Sequence, residues 1–263
     1  MDKYLYEKYS LFGTKPKEQR GLTARARGVL ANPLHHYLLF GIVMLVVGFL
    51  SANKILPYSL QSGMAITFAY SLASVGFCLL MGYSGLASLG TGGFMGIGSY
   101  SIHFIMTESG LPFGVALVVA LAIGVVLGLI VGVVSLRIEG IYLVILTLGL
   151  SEILRNLYIA VQDSIYLSTL KLFGLTISRS DSVYVVTVLL VIVMMLTHNL
   201  IVSPTGRAML AMKNSTAAAQ AMGISLMKYR LLAFVICTVY AVLSGMMLMI
   251  TVRSAMATDA SGF

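Results

Sequence analysis

Glu152 and Arg155 stand three residues apart inside an otherwise apolar stretch, and on a helix that spacing sets them on one face within pairing distance. Either would cost on the order of 3 kcal/mol facing lipid near the bilayer centre, so both are expected to face each other, a neighbouring helix or water. One reading puts them near the outer interface with Arg155 reaching to the headgroups; the other gives them a role in moving a solute. A second candidate is GYSGLASLGTGGFMGIGSY at 82–100, where seven glycines (Gly82, Gly85, Gly90, Gly92, Gly93, Gly96, Gly98) surround the hydroxyls of Ser84, Ser88, Thr91 and Ser99. Glycine weakens a helix by roughly 1 kcal/mol per residue relative to alanine, so this segment is expected to break. Broken backbone survives at membrane depth only against protein or a water-filled cavity. Gly82, Ser84, Gly85, Ser88, Gly90, Thr91, Gly92 and Gly93 are therefore candidates to line a route for a polar solute. Close helix packing through the Gly92/Gly96 pair is the competing reading, and for Gly124, Gly128 and Gly132 it is preferred.

Constellations for other chemistry are missing from the sequence. His35, His36, His103 and His198 do not recur at the i, i+4 spacing of a helical zinc site, and no cofactor site is expected. No GxxxxGK[ST] motif occurs, so any ATP-driven work must come from a partner. A membrane-embedded enzyme could draw only on Glu152, Arg155, Glu108 and His103, which are widely dispersed.

The third candidate is the stretch 203–230, SPTGRAMLAMKNSTAAAQAMGISLMKYR, which holds four cations (Arg207, Lys213, Lys228, Arg230) and no acid between two apolar runs. Its second half has Asn214 or Ser215 to start a helix, an alanine-rich body and Gly223 to stop it. That pattern reads as a docking helix for another, cytoplasmic subunit; the competing reading has Lys213 and Lys228 resting on anionic lipid.

These segments are held by a strongly apolar chain. With 59% hydrophobic and 10% charged residues and a mean hydropathy of +0.96, it is a polytopic membrane protein. Seven apolar runs, at 34–52, 59–81, 82–106, 111–136, 140–161, 183–202 and 231–252, mostly approach the ~20 residues that cross a bilayer. Residues 1–33 form a basic tail whose seven cations, added to the loop's four, make 11 of the 17 Lys and Arg. The positive-inside rule puts tail and loop together in the cytoplasm. That requires all six intervening runs to cross, the glycine-rich one included. The net charge of +8 thus reports topology and attraction to anionic membrane lipids rather than nucleic-acid binding. Arg137 and Glu139 should anchor a cytoplasmic turn, and Cys78 and Cys237 read as small hydrophobes.

Three stretches together resemble the permease subunits of bacterial ABC importers for branched-chain amino acids. They are the glycine block at 82–100 with its Ser-Leu-Gly core, LRIEGIYLVILTLGLSEILR at 136–155, and GRAMLAMKNSTAAAQAMGISLMKYRLLAF at 206–234. The resemblance implies import of a hydrophobic amino acid delivered by an extracytoplasmic solute-binding protein. It further implies a second, homologous permease chain, two ABC ATPase subunits, and a place in the bacterial inner membrane. On that basis Arg207, Lys213, Ala217, Ala218, Ala219 and Gly223 are the expected ATPase-docking residues. Family loops often read Glu-Ala-Ala, three residues, Gly; here alanine replaces the glutamate at Ala217, which removes one charge-assisted contact. Family members usually continue with further membrane segments beyond the position of Phe263, so a fragment or a short member is expected. Other readings are a related ABC permease for urea, short amides or a sugar, and a secondary transporter or channel. The expected fold is an all-α transmembrane bundle of about seven spans within 34–263, with one glycine-rich broken helix and the N-terminus cytoplasmic.

Overall fold

The computed structural model describes residues 33–52, 58–135, 140–161, 164–167, 170–172, 175–177 and 182–256. The basic tail, apart from residue 33, and the Arg137/Glu139 turn lie outside the described residues. Five described helices are long and apolar enough to cross a membrane, and the architecture is an all-α membrane bundle.

Helix α1 (Pro33–Ala52) is followed by α2 (Tyr58–Leu79), whose last turn widens into a π-helical turn at Leu80–Ser84. Residues 85–90 are not helical, α3 spans Thr91–His103, and a second π turn covers Phe104–Glu108. Then come α4 (Phe113–Ser135), α5 (Ile141–Val161), strands β1 (Ser164–Tyr166), β2 (Leu170–Leu172) and β3 (Leu175–Ile177), and α6 (Ser182–Val202). Two short helices, α7 (Pro204–Asn214) and α8 (Thr216–Ala221), fill the basic loop before α9 (Leu226–Val252) and β4 (Ser254–Met256). The third apolar run is thus divided: its first residues finish the π turn, residues 85–90 are not helical, 91–103 form α3 and the last residues enter the second π turn.

Helix α9 is the axis of the bundle. At 27 residues it is about 40 Å long, and 67% of its apolar window is buried, against 17% for α5. Glycines let its neighbours approach. Along α4, Gly124, Gly128 and Gly132 face Val242, Thr238 and Leu231 in turn, so the two helices run antiparallel in close contact. This is the packing role expected for that glycine series. Gly76 of α2 lies against Cys237 and Tyr240, and the Ser244 hydroxyl donates to the Ala69 carbonyl at 2.6 Å, which makes α2 antiparallel to α9 as well. Cys237 is buried in this contact, whereas Cys78 is exposed.

Contacts at the two ends fix the direction of the broken segment. At one end the Lys213 Nζ donates to the Gly82 carbonyl at 2.8 Å, joining the end of α7 to the end of α2. At the other, β1 pairs with β4 antiparallel, Ile165 opposite Ala255, so the C-termini of α5 and α9 lie together. His103, the last residue of α3, bonds through Nδ1 to the Tyr166 carbonyl at 3.0 Å, so α3 ends beside β1. The chain therefore passes from the Lys213 end to the β1 end along 91–108. All of these contacts belong to the unit Tyr37–Phe263.

Candidate functional site

The break between α2 and α3 is built by Gly85. Its φ of 72° lies in the left-handed region, and its N–H returns to the Leu80 carbonyl as the cap of the π turn. Beyond it, the Leu86 N–H still returns to the Leu80 carbonyl at 3.3 Å and the Gly90 N–H is taken by Ser88 Oγ at 3.3 Å, while one face of α5 supplies partners for Leu89 and Gly93. Thr147 Oγ1 donates to the Val144 carbonyl at 3.0 Å and accepts the Leu89 N–H at 3.1 Å. Ser151 Oγ accepts the Gly93 N–H at 3.1 Å, and the Tyr158 hydroxyl donates to the Gly93 carbonyl at 2.8 Å. Backbone that a bilayer would leave unsatisfied is thereby paired inside the protein. The approach needs small residues. A Cβ at Gly90 would come within 2.9 Å of the Thr147 carbonyl oxygen, and one at Gly96 within 2.3 Å of the Tyr158 ring.

A cavity of about 230 Å³ lies between α2 and this segment, lined by Tyr70, Ala73, Ser74 and Phe77 on one side and Ser88, Leu89, Thr91 and Met95 on the other. Of the eight residues expected to line a route, Ser88 and Thr91 reach it. Gly82 presents its carbonyl to Lys213, and Gly85 makes the turn. Gly90 and Gly93 pack on α5, and Gly92 is buried at the start of α3. The Ser84 hydroxyl is buried without a hydrogen-bond partner among the described residues. Sequence reasoning missed Tyr70 and Ser74 on α2 and Thr147, Ser151 and Tyr158 on α5. Their one sequence signal is a hydroxyl at helical spacing within an apolar run, which does not say what it faces.

The basic loop folds as two capped helices. Ser203 Oγ accepts the Gly206 N–H at 3.4 Å with Pro204 in the first turn of α7. Ser215 Oγ accepts the Ala218 N–H at 3.2 Å at the start of α8. Gly223, at φ 79°, ends α8; its N–H meets the Gln220 carbonyl at 2.9 Å and the Ile224 N–H meets Ala219 at 3.0 Å. Arg207, Lys213, Ala217, Ala218 and Gly223 are exposed, while Ala219 is buried and faces the bundle. Met222, which the sequence reading passed over, is 83% exposed at the tip. Lys213 does more than sit on the surface: α7 packs on the π turn, where a Cβ on Gly85 would lie 3.2 Å from Lys213 Cγ.

On α5, Glu152 and Arg155 form the expected pair. Arg155 Nε donates to both carboxylate oxygens at 3.0 and 3.1 Å, and Nη2 also donates to Oε1. Helical side chains lean toward the N-terminus, and Arg155 follows that direction to Glu152 rather than reaching for the nearer helix end.

The glycine block at 82–100, the stretch 136–155 and the basic loop at 206–234 carried the resemblance to a family. The model of the branched-chain amino acid transport system permease component matches residues 59–262, which takes in all three. The chain belongs to this permease family. It is similar to the high-affinity branched-chain amino acid transport system permease protein LivM of Escherichia coli K12, with 29% identity over 211 aligned positions covering 68% of this chain and 50% of that protein. The LivM protein of Salmonella typhimurium LT2 is 30% identical over 211 positions, with the same coverage of each chain. The permease chain here spans about half the length of the curated relatives it matches. No solved structure matches it.

Proposed function

We propose that the chain is a membrane subunit of an ATP-driven importer for branched-chain amino acids in the bacterial inner membrane, with its N-terminus cytoplasmic. Membership of the permease family carries this reading. The cavity is consistent with the cargo: at about 230 Å³ it is below the ~300 Å³ at which drug-sized pockets begin. Ala73, Phe77, Leu89 and Met95 offer apolar wall to an aliphatic side chain. The hydroxyls of Thr91 at the N-terminal end of α3, of Ser88 just before it, and of Tyr70 and Ser74 on α2 suit a carboxylate.

ATP would be hydrolysed on two partner ATPases, with an extracytoplasmic binding protein delivering cargo and a second permease chain completing the path. Exposed Ala217 and Ala218 on α8 and Met222 and Gly223 in the turn after it, flanked by Arg207 of α7, form the surface for one ATPase. Movement of α8 passes to α7, and Lys213 carries it to Gly82 and the π turn beside the cavity. Reconstitution of the complex in liposomes tests the reading. ATP-dependent uptake of labelled leucine, with leucine-stimulated hydrolysis, is expected. Uptake driven by an ion gradient without ATP, or urea or sugar transport in leucine's place, would overturn it.

A further inference from the structure

The chain that joins α2 to α3 closes one end of the cavity. Residues 85–90 leave the π turn beside Lys213 and reach α3 at Thr91, so they cross the cavity at its Lys213 end. Ser88 and Leu89 of this strap form part of the cavity wall. The helices on either side of it are firmly held. The Ser244 hydroxyl of α9 donates to the Ala69 carbonyl of α2 at 2.6 Å, and the Ser99 hydroxyl of α3 donates to the Gly245 carbonyl of α9 at 2.9 Å. The strap itself is fastened more lightly. Its bonds from Leu86 N–H to the Leu80 carbonyl and from Gly90 N–H to Ser88 Oγ, both 3.3 Å, are longer than a good amide hydrogen bond. Its described backbone tie to a neighbouring helix is the Leu89 N–H on Thr147 Oγ1, at 3.1 Å. Gly85 and Gly90 supply a pivot at each end.

A second observation, at the π turn, is independent of that tie. The Ser84 hydroxyl is buried and has no partner among the described residues. A helical serine can give its hydroxyl to the carbonyl four residues back, here Leu80. A carbonyl oxygen has two lone pairs, and on Leu80 the Gly85 and Leu86 N–H groups take both. Swinging the strap off the cavity withdraws the Leu86 N–H and frees a site for Ser84. The closed strap thus keeps the Thr147 bond at the expense of Ser84, and the open strap reverses the exchange. Two arrangements that trade one buried hydrogen bond for another are the requirement for a gate.

We propose that residues 85–90 are a gate strap across the Lys213 end of the cavity. Thr147 is the positioning residue that latches it shut through Leu89, and Ser84 is the group that gains a partner when it opens. Lys213, bonded to Gly82 just before the strap, is placed to drive the swing when α7 moves. This rests on the reading that the cavity carries cargo.

Ser74→Cys in a Cys78→Ser background puts a thiol on the far wall of the cavity. Its rate of reaction with a membrane-impermeant maleimide, measured for the assembled complex in sealed native vesicles of each orientation, reports strap opening. From the face that carries α7, Thr147→Val should raise the rate about fivefold, the equivalent of one ordinary hydrogen bond, and Thr147→Ser should restore it. Ser84→Ala removes the group that opening satisfies and should lower the rate by a similar factor. From the opposite face all three variants should match their parent, whereas a general loosening of the bundle raises the rate from both faces. No change in Thr147→Val, a rise from both faces, or a rate in Ser84→Ala at or above the parent's would each overturn the strap and leave the importer reading in place. The expected labelling in a complex that takes up no leucine would uphold the strap and overturn the importer reading.

Discussion

Replacing Gly245 by alanine tests the crossing of α3 over α9, on which the position of the broken segment depends. The added carbon would lie 1.8 Å from the Met95 carbonyl oxygen and 2.6 Å from its carbon, both backbone atoms that no rotamer change can move. Since real Cβ contacts essentially never fall under 3.0 Å, the two backbones must part by roughly 1.2 Å, the difference between 3.0 and 1.8 Å. Overpacking of this kind costs about 1–3 kcal/mol. Parting the helices also weakens the buried bond from the Ser99 hydroxyl to the Gly245 carbonyl, 2.9 Å long, which is worth about 1 kcal/mol. Alanine's better helix propensity returns about 1 kcal/mol. The net loss is about 1–3 kcal/mol, and the melting temperature should fall by roughly 2–12 °C on the scale of 150–250-residue domains. Gly63→Ala on α2 is the control, because its Cβ meets nothing within 4 Å and gains only the propensity. Buried Cys237 on α9, in a Cys78→Ser background, allows a thiol-reactive dye to report the melt in detergent. A Gly245→Ala protein that melts at or above the Gly63→Ala control would refute the packing.

Ala218→Arg on the exposed face of α8 should abolish uptake by displacing the ATPases, and Gly223→Pro should abolish it while the ATPases keep hydrolysing; proline cannot hold φ at 79° or donate the bond to Gln220. Uptake equal to wild type in proteoliposomes for both would remove α8 from the coupling route. Lys213→Met loses an exposed charge-assisted bond to the Gly82 carbonyl, worth up to about 1 kcal/mol after solvent screening, so transport per ATP hydrolysed should drop about two- to fivefold with ATPase binding intact. Thr91→Leu extends an apolar side chain into the cavity and should reduce leucine uptake with little change in melting temperature; unchanged uptake would move the route elsewhere.

Element type and the glycine break were legible in the sequence because hydrophobic run length, Gly85 and the capping serines act locally. Ser215 and Gly223 bounded α8 as their residue types required. Pairing between elements was less legible. Gly90 and Gly93 looked like route lining, yet they are close contacts to α5, because what a glycine faces depends on a partner far away in sequence, Thr147 for the one and Ser151 for the other. Thr147, Ser151 and Tyr158 went unnoticed for the same reason: a hydroxyl on an apolar helix shows its purpose only when the broken backbone lies beside it. Ala219 was grouped with its alanine neighbours, and only the fold separates its buried side from the exposed one. The division of the third run into π turn, extended segment and short α3 needed the same tertiary information.

The most direct measurement is gentle purification of the tagged protein from its native membrane, with mass spectrometry of every copurifying chain, repeated for Ala218→Arg. The account predicts that ATPase subunits and a second permease accompany the wild-type protein, and that Ala218→Arg loses the ATPases while keeping the permease. A wild-type chain recovered with no ATPase, or a variant that retains ATPases at the wild-type ratio, would contradict it.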